Sequence, residues 1–158
     1  MSEKENILTE RTLESEIPQL ESFLKSGMKV LDVGCGPGTI TLGVAEAVNP
    51  GTVVGIDPRS DFVDMGRKRG ALSKHPGNIS FQVGDSHRLD FPDETFDVVY
   101  SNTVIHFFLD PVLALKEQKR VTKKGGWVIA SGVRDWGGVT VNLPSPNWEK
   151  VLEACLHW

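Results

Sequence analysis

Residues 30–40, VLDVGCGPGTI, join a short apolar run to three glycines at alternate positions and then to an apolar pattern of a different period. Residues 29–33 have the pattern of a buried strand, and the apolar residues after Gly38 recur at helical spacing. Glycines in such a turn permit unusual backbone angles and let a ligand come close. Gly34, Gly36 and Gly38 therefore predict a binding loop, although purely structural turns use glycines in the same way.

Strand-like and helix-like runs alternate along the chain. We predict strands over 29–33, 52–57, 79–83, 96–101 and 127–131 and helices over 13–24, 39–48, from 60, and from 111 until Gly125 and Gly126. This alternation predicts βαβ units with right-handed crossovers and a mainly parallel sheet covered on both faces. Ligands of such sheets bind beyond the carboxyl ends of the strands, at the point where the strand order reverses. The glycine turn falls at that point.

Charge and cysteine content exclude several classes of partner. The net charge of −4 gives no electrostatic basis for binding nucleic acid or an anionic membrane. Two cysteines, Cys35 and Cys155, are too few for a disulfide framework and lack metal-ligand spacing, which favours a reducing, cytoplasmic location without a metal site. No run of 18 apolar residues that could span a membrane is present.

Asp32 gives the predicted loop an electrostatic preference. It precedes Gly34 by two residues, which places its carboxylate toward the ligand. At about 5 Å and an effective dielectric near 20, this charge would cost a pyrophosphate about 3 kcal/mol, and a cation would gain a comparable amount. The dinucleotide fingerprint also needs glycine or alanine where this chain has Thr39. The loop therefore favours a positively charged guest.

Four ordered stretches carry a resemblance to a known family. They are DVGCGPG at 32–38, VGID at 54–57, GDSHRLDFPDETFDVVYS at 84–101 and ALKEQKRVTKKGGW at 114–127. Together they resemble the class I S-adenosylmethionine-dependent methyltransferases, most of all the branch that includes the ubiquinone and menaquinone methyltransferases. The resemblance implies S-adenosylmethionine as methyl donor and a Rossmann-like, doubly wound α/β fold with strand order 3-2-1-4-5.

The resemblance also implies roles for the cofactor-binding residues. Asp32 would hold the methionine ammonium, and the loop of Gly34, Cys35, Gly36 and Gly38 would pack against the ligand, with the Cys35 side chain buried rather than nucleophilic. An acid at the tip of the second strand is in any case the physical means of binding a ribose, so Asp57 is expected to accept hydrogen bonds from the ribose hydroxyls. The remaining positions are Pro58 beside adenine, Asp85 and Ser86 at the adenine edge, and Ser101 and Asn102 at the methyl-transfer end.

His106 is the candidate general base, with a packing role as the alternative. Displacement at a sulfonium has an activated leaving group, so positioning alone can supply roughly 7 to 11 kcal/mol without a proton transfer. A base is needed only if the acceptor must lose a proton. The catalytic residue is therefore left open.

The domain boundaries follow from the resemblance. We predict a single domain over 1–158, with a leading helical segment (1–27), a cofactor-binding core (28–131) and a partial substrate-side extension (132–158). Members of the family usually add an antiparallel hairpin that pairs with strand five, and the chain is expected to be truncated before it. An unpaired fifth strand would be a sticky edge. We expect that edge to be covered by residues 139–143 or by a second subunit in a homodimer.

Three functions remain in view from the sequence. The first is methyl transfer from S-adenosylmethionine to a small-molecule acceptor. The second is a non-catalytic S-adenosylmethionine-binding module or partner subunit. A nicotinamide-dependent oxidoreductase, the third, is disfavoured by Thr39 and Asp32.

Overall fold

The computed structural model describes residue 8, residues 10–131 and the backbone of residues 139–142. Its strands form one sheet in the order β3-β2-β1-β4-β5-β6. The first five run parallel to their neighbours, as predicted, and β6 is antiparallel to β5. The strands are β1 (Lys29–Val33), β2 (Thr52–Asp57), β3 (Ile79–Val83), β4 (Phe96–Asn102), β5 (Thr122–Ser131) and β6 (Val139–Asn142).

Helices cover both faces of this sheet. The α-helices are α1 (Leu13–Glu16), α2 (Thr39–Val48), α3 (Ser60–Ala71) and α4 (Pro111–Val121), and short 3-10 helices occupy Pro18–Phe23, Pro76–Asn78 and Ile105–Phe107. Adjacent residues of β1 point to opposite faces, so Val30 packs with α2 and the leading segment, whereas Leu31 packs with Val99 and Val121 on the face of α4. No helix within the described residues has the length and apolar character needed to cross a membrane.

The leading segment differs from the single helix that the sequence predicts. A capping box between Thr12 and Ser15 starts α1, which ends after four residues, and a separate 3-10 helix begins at Pro18. Ile17 between them leaves the helical region, with φ of −147° and ψ of 58°, because a residue that precedes proline is disfavoured there. The apolar residues still enter the core, with Leu13, Ile17 and Leu20 at 5%, 2% and 0% exposure.

The fifth strand begins earlier than predicted. Asp110 caps α4 and Pro111 opens it, as expected, but the helix ends at Val121 and Thr122 is already in β5. Thr122 pairs with Phe96, and the register of the two strands then shifts. The predicted stop signal, Gly125 and Gly126, lies inside this strand, where Gly125 takes a φ of 77°. The glycines absorb the irregularity of the strand rather than ending the helix.

The outer edge of β5 is paired. Residues 139–142 run antiparallel to 127–130 of β5, so the first of the two predicted covers for this edge is confirmed. Pairing with β6 removes the reason for expecting a second subunit there. The rest of the predicted substrate-side extension, 132–138 and 143–158, lies outside the described residues.

Phe81 of β3 fixes the packing between the sheet and α3. A Cβ placed on Gly38, Gly55 or Gly66 would come within 2.6 to 2.8 Å of its ring, and one on Gly70 within 3.3 Å. Real Cβ atoms essentially never approach closer than 3.0 Å, so the ring occupies the space that three of these residues leave. The third glycine of the first loop is thus part of this contact.

Candidate functional site

The loop after β1 is tied to the end of β2 by backbone hydrogen bonds. Gly34 N and Cys35 N both donate to the carbonyl of Ile56, at 2.8 and 2.9 Å. Gly36 N then donates to Oδ2 of Asp57 at 2.9 Å. These bonds bring the loop and the carboxyl ends of β1 and β2 together, where the sequence predicts the ligand.

The three glycines of the loop serve different purposes. A Cβ on Gly34 would lie 2.7 Å from Cγ1 of Val104, and one on Gly38 would strike Phe81. Gly36 has a φ of 52°, and none of the described atoms lies within 4 Å of where its Cβ would be. Gly36 therefore offers open space to a ligand, whereas protein contacts and φ values of 82° and 81° already account for the absence of a side chain at Gly34 and Gly38.

Asp32 is buried at the end of β1 and held by two hydroxyl groups. Asp32 is only 3% exposed. Oδ2 accepts a hydrogen bond from the Tyr100 hydroxyl at 2.6 Å and another from Thr41 Oγ1 at 2.7 Å. Neither donor is predicted from the sequence; Tyr100 lies directly opposite Asp32 in the β1–β4 register.

Burial raises the pKa of Asp32 to about 6, although the hydrogen bonds from Tyr100 and Thr41 oppose the rise. The negative charge of Asp57 raises this pKa further, and the positive charge of Arg11 lowers it. Burial of a carboxylate without a cation is costly. The end of β1 thus favours a positively charged ligand, in line with the prediction from the sequence.

Asp57 ends β2 in a different setting. Its residue is 7% exposed, and each carboxylate oxygen accepts one backbone N–H, Oδ2 from Gly36 and Oδ1 from Arg59 at 2.9 and 3.0 Å. A carboxylate has about four lone-pair sites, so each oxygen keeps capacity for one further donor. This arrangement suits two adjacent hydroxyls. The neighbouring Pro58 is exposed.

Asp85 lies beyond β3 and is held by His87. Its Oδ1 accepts from the backbone N and from Nδ1 of His87, at 2.9 and 2.8 Å, and the backbone hydrogen bond lowers the pKa of Asp85. His87 Nε2 accepts from Asp110 N at 3.1 Å. A backbone N–H can only donate, so the ring proton belongs on Nδ1. His87, which was not predicted from the sequence, joins the predicted adenine edge to the start of α4. Ser86 Oγ lies 3.4 Å from Nδ1 of His87.

Ser101 and Asn102, the two residues predicted at the methyl-transfer end, have different surroundings. Ser101 is fully buried, and its Oγ lies 3.5 Å from Nε2 of Gln118 in α4, so its side chain faces that helix rather than the edge of the sheet. Asn102 is 7% exposed; its Oδ1 accepts from Ser131, and its Nδ2 has no partner among the described residues. Only Asn102 keeps a free polar atom at this end.

His106 and Cys35 show no catalytic setting. His106 is exposed on the 3-10 helix, where its ring contacts Phe107 at a centroid distance of 4.1 Å. Burial raises the pKa of the Cys35 thiol well above its usual range, and its side chain packs with Val63 and Phe81. Cys35 can meet a ligand only through its backbone. Within the described residues, no group of acids, histidines or cysteines could hold a metal ion.

Arg11 reaches this edge from the leading segment. Its Nη2 donates to Oγ1 of Thr103 at 3.0 Å and to Oε2 of Glu16 at 2.6 Å. Thr103 follows β4 and has a φ of 59°, a conformation that β-branched residues rarely adopt outside strained sites. Neither residue carried a signal in the sequence, because they are 92 positions apart.

Comparisons with known proteins agree with this geometry. Residues 31–130 match the family model described as a methyltransferase domain. An uncharacterized methyltransferase of Schizosaccharomyces pombe is 43% identical over 123 residues, which cover 75% of this chain and 44% of that protein. A demethylmenaquinone methyltransferase of Staphylococcus aureus is 36% identical over 107 residues, covering 67% of this chain and 43% of the relative.

Solved structures show the same fold. A crystal structure of a SAM-dependent methyltransferase from Aquifex aeolicus superposes with a TM-score of 0.71 at 28% identity, covering 80% of this chain and 70% of that one. The chain spans less than half the length of the two curated relatives.

Proposed function

The chain belongs to the S-adenosylmethionine-dependent methyltransferase family, and from that premise we propose that it transfers a methyl group from this cofactor to a small-molecule acceptor. The observation that carries the proposal is the buried carboxylate of Asp32 beside the open loop at Gly36. A pocket of this kind rejects a pyrophosphate and accepts a cationic amino-acid group. The family match likewise speaks against the nicotinamide alternative.

The described residues offer hydrogen-bond acceptors for three parts of the cofactor. Asp32 would bind the ammonium of the methionine part, Asp57 would accept from both ribose hydroxyls, and Asp85 would accept from the adenine amino group. Gly36 leaves room for the nucleoside between them. When bound, the cofactor supplies a methyl group on a sulfonium, which is transferred by in-line displacement.

Positioning is the main catalytic contribution that we propose for this chain. The described residues include no group that orients His106, so no base is proposed. The Nδ2 of Asn102, buried and without a partner among those residues, would donate to the acceptor. Effective molarity from aligned reactants is sufficient for a sulfonium donor.

Isothermal titration calorimetry with S-adenosylhomocysteine, the demethylated product, tests the binding part of the proposal. We expect saturable one-to-one binding at micromolar concentration, weakened strongly by Asp57→Asn. Asp97→Asn is the matched control, because Asp97 is a strand aspartate that accepts from Lys29 N and pairs with Lys123, remote from the loop. Absence of binding by a folded chain at millimolar product would refute the proposal.

Turnover separates the enzyme from the non-catalytic alternative. Incubation with methyl-labelled cofactor and a panel of phenolic, quinol and amine acceptors should yield a labelled product. Binding without transfer to any acceptor would favour a cofactor-binding module. A single domain over 1–158 and a cytoplasmic location remain proposals that follow from length and from the two cysteines.

A further inference from the structure

The leading segment places a positively charged side chain, that of Arg11, beside the residue that follows β4. This inference rests on the proposed function, because it concerns the amino-acid end of the methyl donor. That end carries two positive groups, the sulfonium and the ammonium, and one negative group, the α-carboxylate. Asp32 and Asp57 suit the positive end and repel the carboxylate. A positively charged side chain near Asp32 is therefore needed.

Arg11 lies where such a group is required. Its hydrogen bond to Thr103 places it at the exit of β4, one residue before Val104. The side chain of Val104 in turn packs over Gly34 of the first loop. The charge of Arg11 is also felt by Asp32, whose pKa it lowers. Arg11, Thr103 and the first loop thus form one continuous surface at the end of β1.

The guanidinium has donors to spare. Both of its hydrogen bonds use Nη2. Nε and Nη1, which carry three of the five N–H groups of an arginine, donate to no other described residue. The side chain is 18% exposed, so water reaches it only in part. A partly desolvated guanidinium with free N–H groups makes a strong, charge-assisted hydrogen bond to a carboxylate.

We propose that Arg11 binds the α-carboxylate of the methyl donor through a free N–H of Nη1, while Glu16 and Thr103 hold Nη2 in place. The leading segment then completes the cofactor site rather than only packing on the core. Through the contact of Arg11 with the carboxylate, the chain distinguishes the cofactor from ligands that lack the amino-acid group.

Calorimetry of paired ligands tests the proposal without any turnover. S-adenosylhomocysteine carries the carboxylate, and 5′-methylthioadenosine has the same nucleoside and thioether without the amino-acid group. In Arg11→Gln we expect the affinity for S-adenosylhomocysteine to fall roughly 10- to 100-fold. The affinity for methylthioadenosine should stay within about twofold, because its contacts lie at Asp57 and Asp85.

Two control variants separate charge recognition from structural damage. Glu16→Gln removes the ion pair of Arg11 but leaves its guanidinium, so the preference for S-adenosylhomocysteine should persist. Arg69→Gln removes the arginine of α3 whose Nη1 donates to the Pro37 carbonyl of the same loop, and it should change both affinities alike. Arg11→Lys keeps the charge without the planar guanidinium and should retain part of the preference.

The outcomes are distinct. Equal weakening of both ligands in Arg11→Gln would show that Arg11 only supports the fold, and an unchanged preference would assign the carboxylate to another group. If Arg11→Gln unfolds, an Arg11→Lys variant with full preference would overturn the guanidinium contact, and one with reduced preference would support it. Failure of the unaltered chain to bind S-adenosylhomocysteine would instead refute the proposed function, and this inference with it.

Discussion

Asp32 and Asp57 are the same residue type at the ends of neighbouring parallel strands, yet the protein holds them by different means. Asp32 receives both of its hydrogen bonds on one oxygen, from the hydroxyls of Tyr100 and Thr41. Asp57 receives one backbone N–H on each oxygen, from Gly36 and Arg59. Asp32 is held by side-chain hydroxyls, 9 and 68 residues away, and Asp57 by backbone N–H groups, 21 and 2 residues away.

Under the proposed function, this difference makes Asp32 a cofactor-binding carboxylate and Asp57 a structural carboxylate that also binds the cofactor. Two neutral hydroxyls compensate Asp32 only in part, since its pKa remains at about 6. Its ionised form therefore destabilises the ligand-free fold and becomes favourable when a cation arrives. Asp57 pairs with two backbone N–H groups in the ligand-free protein, that of Gly36 in the loop and that of Arg59 after β2. Substitutions at the two positions should therefore change binding in the same direction and stability in opposite directions.

The largest effect is expected for Asp32→Asn. Loss of the charged hydrogen bond to the donor ammonium should weaken S-adenosylhomocysteine binding about 100-fold in calorimetry at pH 7.5. The asparagine keeps an acceptor for Tyr100 and Thr41 and lacks the buried charge. The ligand-free variant should therefore be more stable, by up to about 3 kcal/mol at pH 8 in urea unfolding. A clear loss of stability would show that Asp32 is a structural carboxylate.

Asp57→Asn should reverse the sign of the stability effect. The amide places an NH2 group against one of the two backbone N–H donors, which leaves that donor unpaired. We expect a loss of about 1 to 3 kcal/mol in urea unfolding. Binding of S-adenosylhomocysteine should weaken roughly 30-fold, because one ribose hydroxyl loses its charged acceptor. Equal free energies of unfolding for Asp32→Asn and Asp57→Asn would contradict the proposed difference between the two carboxylates.

The pH dependence of the unaltered chain should follow Asp32. As pH falls through about 6, protonation removes the negative charge, so the affinity for S-adenosylhomocysteine should decline about tenfold between pH 7 and pH 5. The folded-state pKa exceeds the ordinary 3.8, so the native form binds more protons than the unfolded one between these values. This carboxyl therefore lowers the free energy of unfolding as pH rises from 4 to 6, an effect that Asp32→Asn should lack.

Tyr100→Phe should give the smallest effect. It removes one of the two hydrogen bonds that lower the pKa of Asp32, so the midpoint of the pH dependence of binding should move upward. At pH 7 the affinity should fall about threefold, and it should recover at pH 8.5, where Asp32 is ionised again. A loss that persists at high pH would show that Tyr100 acts on the cofactor pocket directly.

The apolar period changes at each strand–helix boundary, so the sequence predicts the five strands, whereas their order is implied by the family resemblance. The sequence also predicts that Asp57 ends the second strand, but not its hydrogen bond with Gly36, 21 residues away. It does not predict the partners of Asp32, since Tyr100 is 68 residues away. Arg11 and His87 were missed for the same reason, because their contacts with Thr103 and Asp110 join distant turns.

Two local predictions also differed from the structure. Gly125 and Gly126 resemble a helix stop, but pairing of Thr122 with Phe96 extends β5 before them. Tertiary pairing overrides the propensity of single residues at such positions. Ser101 was placed at the methyl-transfer end from its position at the end of β4, but the alternation of side chains along the strand turns it toward Gln118.

The Phe81 contact has a consequence for how such sequences can diverge. Its ring excludes a methyl group from Gly38 in the first loop, Gly55 in β2 and Gly66 in α3. Mutation of Gly66 to alanine is therefore tolerated only together with a smaller residue at 81. Gly38 is restricted twice, because its φ of 81° disfavours any side chain even without the ring. Relatives that have lost this phenylalanine should be free to replace the glycine of α3 but should keep the third loop glycine, so that the helix drifts with the core while the loop motif does not.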